Sequence, residues 1–247
     1  MRLRDLRRFT LPSYKTVVLS DNPVAFWPLN ETSGTTAYDI SGNSYNGTYS
    51  GGFTLGQPGL PSGGTAVQFN GSSGCINIPE AVTTAKASVT LEGWVNLSPW
   101  GNSSTAGHGV LIKVGESGSV GSYTGYAVGL GANVTNNIFD NAGNYLAGLY
   151  SGNSWNPLNT PTQVPLSGWH HIVMVIESNS ESSYYLDGNL VGTSSNSIIT
   201  APSSNSTIAG DDGVSTRYLL GILCNVAVYN TALSASQIQA HYNAGVS

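Results

Sequence analysis

Short stretches rich in Val, Ile, Tyr and Trp recur along this chain, and turn-forming Gly, Asn and Ser residues separate them. Examples are AVQFNG (66–71), WHHIVMVI (169–176) and ILCNVAVYN (222–230). Such runs predict short strands, and their spacing favours a β-sandwich or barrel over alternating strand–helix units. The pair Asp187-Gly188 lies between two of these runs and predicts a tight two-residue hairpin turn. We therefore expect an all-β fold.

One helix is expected, at the C-terminal end of the sequence. Ser234 is suited to cap its start, and Gln237 stands three residues on, where it completes a capping box. Leu233 and Ile238 have the spacing of a hydrophobic staple. Gly245 is suited to the C-terminal cap. These signals predict a single short helix that closes the all-β chain.

The composition indicates the environment of the protein. Charged residues make up only 9% of the chain, against about a quarter in typical globular proteins. The surface must therefore consist largely of uncharged polar groups, as in extracellular or particle-surface proteins. The first 20 residues contain only Val17–Leu19 as an apolar run, so we expect no secretion signal. No stretch approaches the length of a membrane span.

Charge is distributed unevenly along the chain. Five of its eight basic residues lie in the first 15 positions, namely Arg2, Arg4, Arg7, Arg8 and Lys15. Against Asp5 they give this segment a charge of +4, whereas three basic and twelve acidic residues give positions 16–247 a charge of −9. This asymmetry predicts a basic arm, residues 1–16, that docks a domain, residues 17–247, onto other protein subunits. The alternative is a solvated terminus. The acidic domain has no basic face, so nucleic-acid binding is not expected.

Six segments, taken in order, resemble one known family. They are residues 21–49, 64–79 (GTAVQFNGSSGCINIP), 88–96 (SVTLEGWVN), 168–175 (GWHHIVMV), 184–192 (YYLDGNLVG) and 222–245. In this order they are similar to the laminin-G-like domains of the concanavalin A-like lectin/glucanase superfamily. The resemblance covers nearly all of residues 21–247 and implies a concanavalin A-like jelly-roll β-sandwich with one short C-terminal helix. It says less about function, because this fold hosts lectins, glycan hydrolases, adhesion modules and structural spacers.

The adjacent histidines His170 and His171 are the first candidates for a reactive site. In a strand, neighbouring side chains point to opposite faces of the sheet. These two residues therefore cannot share a metal ion or one substrate atom. Apolar residues on both faces of the segment predict a central strand. We interpret both histidines as structural groups, hydrogen-bonded at a sheet end.

Catalysis is not expected. The resemblance implies that an active glucanase would carry a Glu-x-Asp-x-x-Glu run, because two suitably spaced carboxylates perform glycoside hydrolysis. No such run occurs, and Glu92 stands alone in TLEGWV. We expect Glu92 to be structural and paired to backbone or solvent at a sheet edge. No nucleophile elbow, phosphate loop or CxxC motif is present.

A carbohydrate site is predicted in the loops. Trp27, Trp94 and Trp169 lie in the family motifs and are expected to pack in the core. Trp100 and Trp155 instead lie in Asn- and Ser-rich segments, where an aromatic platform and nearby polar groups suit a sugar. The predicted carbohydrate-binding residues are Trp100, Trp155, His108, Tyr123 and Asp140. The alternative is that both tryptophans pack only against their own loops.

A calcium ion is a second implication of the resemblance. Asp39 and Asn43 lie in the glycine-containing segment DISGNSYNG, and hard oxygen ligands suit Ca²⁺. With Asn225 they form the predicted ligands of one structural Ca²⁺. Family members often have an acidic residue where Cys224 stands, so this chain departs from the pattern. The alternative is an Asx-turn in which Asp39 binds backbone N–H groups.

The two cysteines, Cys75 and Cys224, lie 149 positions apart. One long-range disulfide and two separate buried thiols are both consistent with this count. The sequence leaves that choice open.

Two classes of function remain. The first is a non-catalytic virion surface protein, such as a phage capsid decoration or tail component, that docks through Arg2, Arg4, Arg7 and Arg8 and contacts host glycans. The second is a secreted or cell-surface carbohydrate-binding or adhesion module. The arm favours the first class and the loop tryptophans favour the second. Both classes place the protein on a virion or extracellular surface, with protein subunits or glycans as partners and without membrane insertion.

Overall fold

The strand-forming stretches pair into two β-sheets in the structure, a computed structural model. It describes residues 12–79, 82, 88–97, 109–117, 124–130, 146–150, 156–157, 162–177, 181–194, 206–210 and 218–247. The elements in chain order are α1 (Tyr14–Ser20), β1 (Ala25–Trp27), β2 (Thr36–Ala37), β3 (Gly47–Ser50), β4 (Phe53–Leu60), β5 (Gly63–Asn70), β6 (Cys75–Ile78), β7 (Ser88–Leu97), β8 (Val110–Ser117), β9 (Thr124–Leu130), β10 (Leu146–Tyr150), β11 (Asn156–Pro157), β12 (His170–Glu177), β13 (Ser182–Leu186), β14 (Asn189–Ser194), β15 (Ser206–Ile208), β16 (Leu220–Tyr229) and α2 (Ala235–Val246).

Each sheet contains eight strands in the described part of the chain. Sheet A has the order β14-β13-β12-β7-β16-β5-β4, and β1 also pairs with β16. Sheet B has the order β11-β10-β9-β8-β15-β6-β3-β2. All the pairings are antiparallel, and the chain changes sheet repeatedly, for example from β5 to β6 and from β6 to β7. The predicted all-β jelly-roll sandwich is confirmed.

The predicted hairpin turn joins β13 to β14. Leu186 pairs with Asn189 across the turn, and Asp187 and Gly188 have φ values of 52° and 77°. Positive φ at both central residues is the geometry that matches the right-handed twist of the flanking strands. The turn also brings the Asp187 side chain to the start of β12, as described below.

The central strands of sheet A, β7, β12 and β16, are buried on both faces, as the two-sided apolar pattern of β12 predicted. Ile172, Met174 and Ile176 pack into the core between the two sheets. Val173 and Val175 point the other way and pack in a second apolar cluster that includes residues of α1 and α2. The helices therefore cover the outer face of sheet A. Full burial of each large apolar side chain stabilises the fold by about 1.5–3 kcal/mol.

Helix α1 corrects the prediction of a single, C-terminal helix. Ser13 caps it, with its Oγ accepting a hydrogen bond from Thr16 N at 3.3 Å. Tyr14 and Val18, one helical turn apart, are buried in the outer cluster. The helix is seven residues long, too short to be stable without this packing. The predicted boundary between arm and domain at residue 16 falls inside α1.

Helix α2 has the predicted start but not the predicted end. Ser234 and Gln237 form the capping box, and Leu233 and Ile238 are both buried. The expected C-terminal cap at Gly245 is wrong, because the helix continues through Val246. Gly245 instead lies so close to the indole of Trp94 that an added Cβ would overlap the ring. Within the described residues, no helix is long and apolar enough to span a membrane.

Both cysteines are buried as thiols, Cys75 in β6 of sheet B and Cys224 in β16 of sheet A. The two-thiol alternative is therefore the one observed. Burial raises the pKa of the Cys224 thiol well above its ordinary value. A buried thiol of this kind is protonated and unreactive at neutral pH.

Candidate functional site

Glu92 lies at the centre of sheet A, on β7 between β12 and β16. Its side chain is completely buried, so the prediction that it pairs with backbone or solvent at a sheet edge is wrong. Oε1 accepts a hydrogen bond from the Tyr229 hydroxyl at 2.9 Å and a longer one from Tyr14 at 3.4 Å. Oε2 lies 2.8 Å from Nδ1 of His241. Four elements thus converge on one buried carboxylate.

His241 connects Glu92 to the end of α1. Its Nε2 lies 2.9 Å from Oδ2 of Asp21, the C-cap residue of α1. Both ring nitrogens therefore face carboxylate oxygens, which accept hydrogen bonds when ionised. Only an imidazolium donates from both nitrogens, so the geometry assigns a positive charge to His241. Gln237 also reaches Asp21, with 2.8 Å between Nε2 and Oδ1.

The pKa shifts agree with this assignment. Burial alone raises the pKa of Glu92, but the charge of His241, the approach of the His171 ring and the hydrogen bond from His241 outweigh it, so the pKa lies below its ordinary value. Burial alone lowers the pKa of His241, but the charge of Glu92 and the hydrogen bonds from Glu92 and Asp21 raise it overall. Burial raises the pKa of Tyr229 most, and the negative charge of Glu92 raises it further. The phenol therefore stays a hydrogen-bond donor.

We call these groups the helix-lock network: Tyr14, Asp21, Glu92, His171, Tyr229, Gln237 and His241. The side chains of Glu92, His171 and His241 have no exposed area, and that of Asp21 is 18% exposed. A substrate has no access to Glu92, because α1 and α2 cover it. Removing one partner of a buried ion pair typically costs about 3–5 kcal/mol. The network therefore fastens both helices to sheet A.

His170 has the hydrogen-bonded role at a sheet end that was predicted for both histidines, whereas neither ring nitrogen of His171 has a hydrogen-bond partner among the described residues. His170 is the first residue of β12. Its Nδ1 lies 2.8 Å from Oδ2 of Asp187, and the hydrogen bond between these atoms is the main cause of the raised pKa of His170. Asp187 Oδ1 also accepts the backbone N–H of His171 at 2.9 Å. On the opposite face, the His171 ring stacks on Trp94 with centroids 4.8 Å apart. Its Nε2 lies 3.5 Å from Glu92, a weak contact at the outer limit of hydrogen bonding.

Asp39, the predicted calcium ligand, anchors its loop to β1. Its Oδ1 accepts the backbone N–H groups of Phe26 at 2.9 Å and Ser41 at 2.8 Å. Its Oδ2 accepts the N–H of Tyr45 and the hydroxyl of Ser41, both at 2.9 Å. The hydrogen bonds favour the Asx-turn alternative, and the donor set does not fit a dedicated cation cage.

The other two predicted calcium ligands also bind the chain near β1. The carboxamide of Asn43 donates to the carbonyl of Val24 at 2.8 Å. The backbone N–H of Asn225 donates to the carbonyl of Pro28 at 3.0 Å. Across the described residues, no group of three or more His, Cys, Asp or Glu side chains is arranged to hold a metal ion. Calcium binding by this chain stays a prediction.

The predicted carbohydrate-binding residues Trp100, Trp155, His108, Tyr123 and Asp140 lie outside the described residues. Carbohydrate binding by these five residues stays a prediction.

The predicted docking residues Arg2, Arg4, Arg7 and Arg8 also lie outside the described residues. The first described residue, Pro12, leads directly into the N-cap of α1. Docking through the arm stays a prediction.

An open cleft lies beside the start of α1. It has a volume of about 450 Å³ and is bounded by Pro12–Lys15, the segment after β1, the turn between β4 and β5, and Asn225 of β16. Asn225 occupies a β-bulge, because the pairing of β16 with β7 shifts register between Cys224 and Ala227. The cleft and the helix-lock network share Tyr14, which lines the cleft with its body and reaches Glu92 with its hydroxyl.

Sequence reasoning missed His241, Asp21 and Tyr229. One local signal was available for His241, which stands three residues after Ile238 and so shares its inward helix face. Nothing local indicates the partners, because Glu92 and Asp21 lie 149 and 220 positions away in the sequence.

Comparison with known proteins identifies a matching family and solved structures with a similar fold. A laminin-G family model, described as concanavalin A-like lectin/glucanases superfamily, matches residues 70–239. Domain 4 of AbnA, a GH43 extracellular arabinanase from Geobacillus stearothermophilus solved in complex with arabinotriose, is similar with a TM-score of 0.62 at 17% identity. That match covers 90% of this chain and 98% of the domain. A search of curated proteins finds no match.

Two larger proteins contain a similar fold. A Trypanosoma rangeli sialidase in complex with the inhibitor DANA matches with a TM-score of 0.60 and 18% sequence identity. The match covers 88% of this chain but only 32% of the sialidase chain. The binding domain of botulinum neurotoxin serotype D/C matches with a TM-score of 0.58 at 15% identity, over 91% of this chain and 52% of that chain. At these identities the likeness concerns the fold alone.

Proposed function

Because the chain belongs to the concanavalin A-like lectin/glucanases superfamily, we propose that it is a non-catalytic carbohydrate-binding module. The observation that carries the proposal is its match to domain 4 of the arabinanase, which accounts for 98% of a domain solved with arabinotriose. A fold by itself does not determine function. The match is informative because it pairs this chain with a whole domain whose structure contains a saccharide.

The helix-lock network supports binding without hydrolysis. Glycoside hydrolysis needs two carboxyl groups that flank the scissile bond in contact with substrate. Glu92 is completely buried, and both of its oxygens accept hydrogen bonds from the protein. Asp21 is linked to it only through His241. These acids stabilise the fold, so we expect no bond cleavage from them.

Retention on an array of oligosaccharides, with arabinotriose among the probes, tests this function. We expect the protein to bind at least one glycan and mass spectrometry of the recovered glycan to show an unchanged mass. Shortened products would contradict the non-catalytic part of the proposal. Retention of no glycan would contradict binding itself.

The loop tryptophans give this test a local readout. Aromatic stacking contributes about 0.5–1.5 kcal/mol beyond area burial, so Trp100→Ala or Trp155→Ala is expected to weaken retention several-fold with little change in melting temperature. A melting temperature that falls by many degrees would instead indicate loop packing.

A second candidate function is display on a particle. The charge of +4 on residues 1–15 against −9 on the remainder favours it. In this proposal the basic arm docks the module onto acidic protein subunits of a virion, such as a phage capsid or tail, and the sandwich faces outward toward host glycans. The alternative is a secreted or cell-surface adhesion module. Co-assembly with purified particles that is lost when residues 1–11 are deleted would support the virion role, and unchanged assembly would contradict it.

A further inference from the structure

We propose that the cleft beside α1 is a binding site for a neutral saccharide unit. We name it the bulge cleft and define it by the residues Tyr14, Pro28, Asn30, Ser62, Thr65 and Asn225, all of which line it. The inference rests on the proposed carbohydrate-binding function, and it adds a site separate from the predicted loop tryptophans. The volume of about 450 Å³ falls within the range of about 300–1,000 Å³ typical of ligand pockets.

The backbone around the cleft is held in an unusual conformation. Asn225 has a φ of 54°, and Leu29, between Pro28 and Asn30, has a φ of 56°. The left-handed region is rare for residues other than glycine and costly for a bulky residue such as leucine. The hydrogen bond from Asn225 N to Pro28 O, at 3.0 Å, ties the two positions together. Strained positions of this kind concentrate at ligand sites, where the fold holds polar groups in place.

The lining has the chemistry of a sugar site. Among the described residues, the carboxamide of Asn225 makes a single long contact, 3.5 Å to Sγ of Cys224, so most of its hydrogen-bonding capacity is left for a ligand. Asn30 is exposed and Ser62 adds a hydroxyl group. The Thr65 hydroxyl donates to the Asn30 carbonyl at 2.8 Å and can still accept a hydrogen bond. Amides and hydroxyls donate and accept hydrogen bonds, as vicinal sugar hydroxyls require. Pro28 supplies apolar surface for the C–H face of a sugar, while the buried Tyr14 closes the inner side of the cleft.

Charge and shape restrict the ligand further. Lys15 is the single charged side chain in the lining, and no acidic side chain is among the lining residues. The lining therefore matches a ligand that carries hydroxyl groups rather than several charges. At the rim, Gly63 and Gly64 have φ values of 112° and 94°, and an added Cβ at either meets no atom of the described residues within 4 Å. As far as these residues extend, the start of β5 therefore leaves space at the mouth for the next unit of an oligosaccharide.

Asn225→Gly is the most specific test of the site. Glycine adopts positive φ readily, so the change removes the carboxamide while the bulge is kept. Asn22→Gly is the matched control, because Asn22 has a φ of 53° and does not line the cleft. Ser62→Trp, at an exposed position on the rim, blocks the mouth. The probes are arabinotriose and each neutral oligosaccharide that retains the wild-type protein, and the readouts are affinity and melting temperature.

We expect Asn225→Gly to weaken affinity about tenfold, because a neutral hydrogen bond corresponds to about two- to twelve-fold in affinity. Ser62→Trp is expected to abolish binding of the glycan unit that this cleft holds. Asn22→Gly is expected to bind within about twofold of wild type, and all three variants should melt within a few degrees of it. If wild type binds a glycan while Asn225→Gly and Ser62→Trp bind it equally well, the bulge cleft is not the site, although the proposed function stands. If wild type binds none of the probes, the proposed function fails and this inference fails with it.

Discussion

Raising the pH from 6 to 9 is expected to destabilise the protein through His241. In the folded state both ring nitrogens face carboxylate oxygens, 2.8 Å from Glu92 and 2.9 Å from Asp21. Deprotonation turns one N–H donor into a lone pair that faces an oxygen. The buried charge-assisted hydrogen bond lost in this way is worth about 1.5–3 kcal/mol.

The direction of this effect follows from proton binding. His241 has a raised pKa in the folded state, so the folded protein binds this proton more tightly than the unfolded chain does. Its contribution to the free energy of unfolding is fully present below about pH 6.5, the pKa of an unfolded histidine. It is lost as the pH rises through the folded-state pKa. Glu92 has a lowered pKa, so its contribution is present above about pH 4.3 and is lost in acid.

Thermal unfolding followed by circular dichroism, at constant ionic strength, measures the effect. For a chain of this size, about 1.5–3 kcal/mol corresponds to a fall in melting temperature of roughly 3–12 °C. The control is His241→Gln, which cannot carry the charge. His170 also has a raised pKa and therefore adds to the pH dependence of the melting temperature. This contribution is the same in wild type and His241→Gln, so it cancels when the two are compared.

We expect His241→Gln to be less stable than wild type at pH 6 and to approach it at pH 9. A stability difference that is the same at pH 6 and pH 9 would refute the imidazolium assignment. A wild-type melting temperature that does not fall between these values would refute it as well.

Three further predictions concern α2, the 39–46 loop and the arm. Gly245→Ala is expected to destabilise the protein by about 1–2 kcal/mol in urea unfolding, since overlap with Trp94 outweighs the gain in helix propensity, and a stabilised variant would contradict the close packing. If calcium binds, EDTA lowers the melting temperature and Asp39→Ala abolishes that shift, whereas an EDTA-insensitive melt would remove calcium from the account. Deleting residues 1–11 should leave a cooperatively melting sandwich that no longer joins its assembly, and attachment of the intact protein should weaken as salt rises. Deletion to residue 15 would instead unfold α1, because it removes buried Tyr14.

The sequence was most informative where structure depends on neighbouring residues. The Asp187-Gly188 turn, the capping box at Ser234 and the two-sided apolar pattern of β12 were predictable, because each is set by residues a few positions apart. Helix α1 was missed because seven residues give too short a pattern. Its Ser13 cap and the Tyr14–Val18 spacing were the available signals.

The helix-lock network was not predictable for a different reason. It joins Asp21, Glu92 and His241, which the topology brings together from both ends and the middle of the chain. Glu92 therefore resembled an isolated surface acid in the sequence. Gly245 was likewise interpreted as a cap, since its contact with Trp94 exists only after α2 packs on sheet A.

Isothermal titration of wild type and Glu92→Gln with one array-selected oligosaccharide tests the central claim, that the protein binds glycans without cleaving them and that its buried acids only stabilise the fold. Circular dichroism first establishes a temperature at which both proteins are folded. We expect equal affinities within about twofold and an oligosaccharide recovered with unchanged mass from both. Loss of binding in folded Glu92→Gln, or cleavage by wild type that the variant cannot perform, would contradict the account.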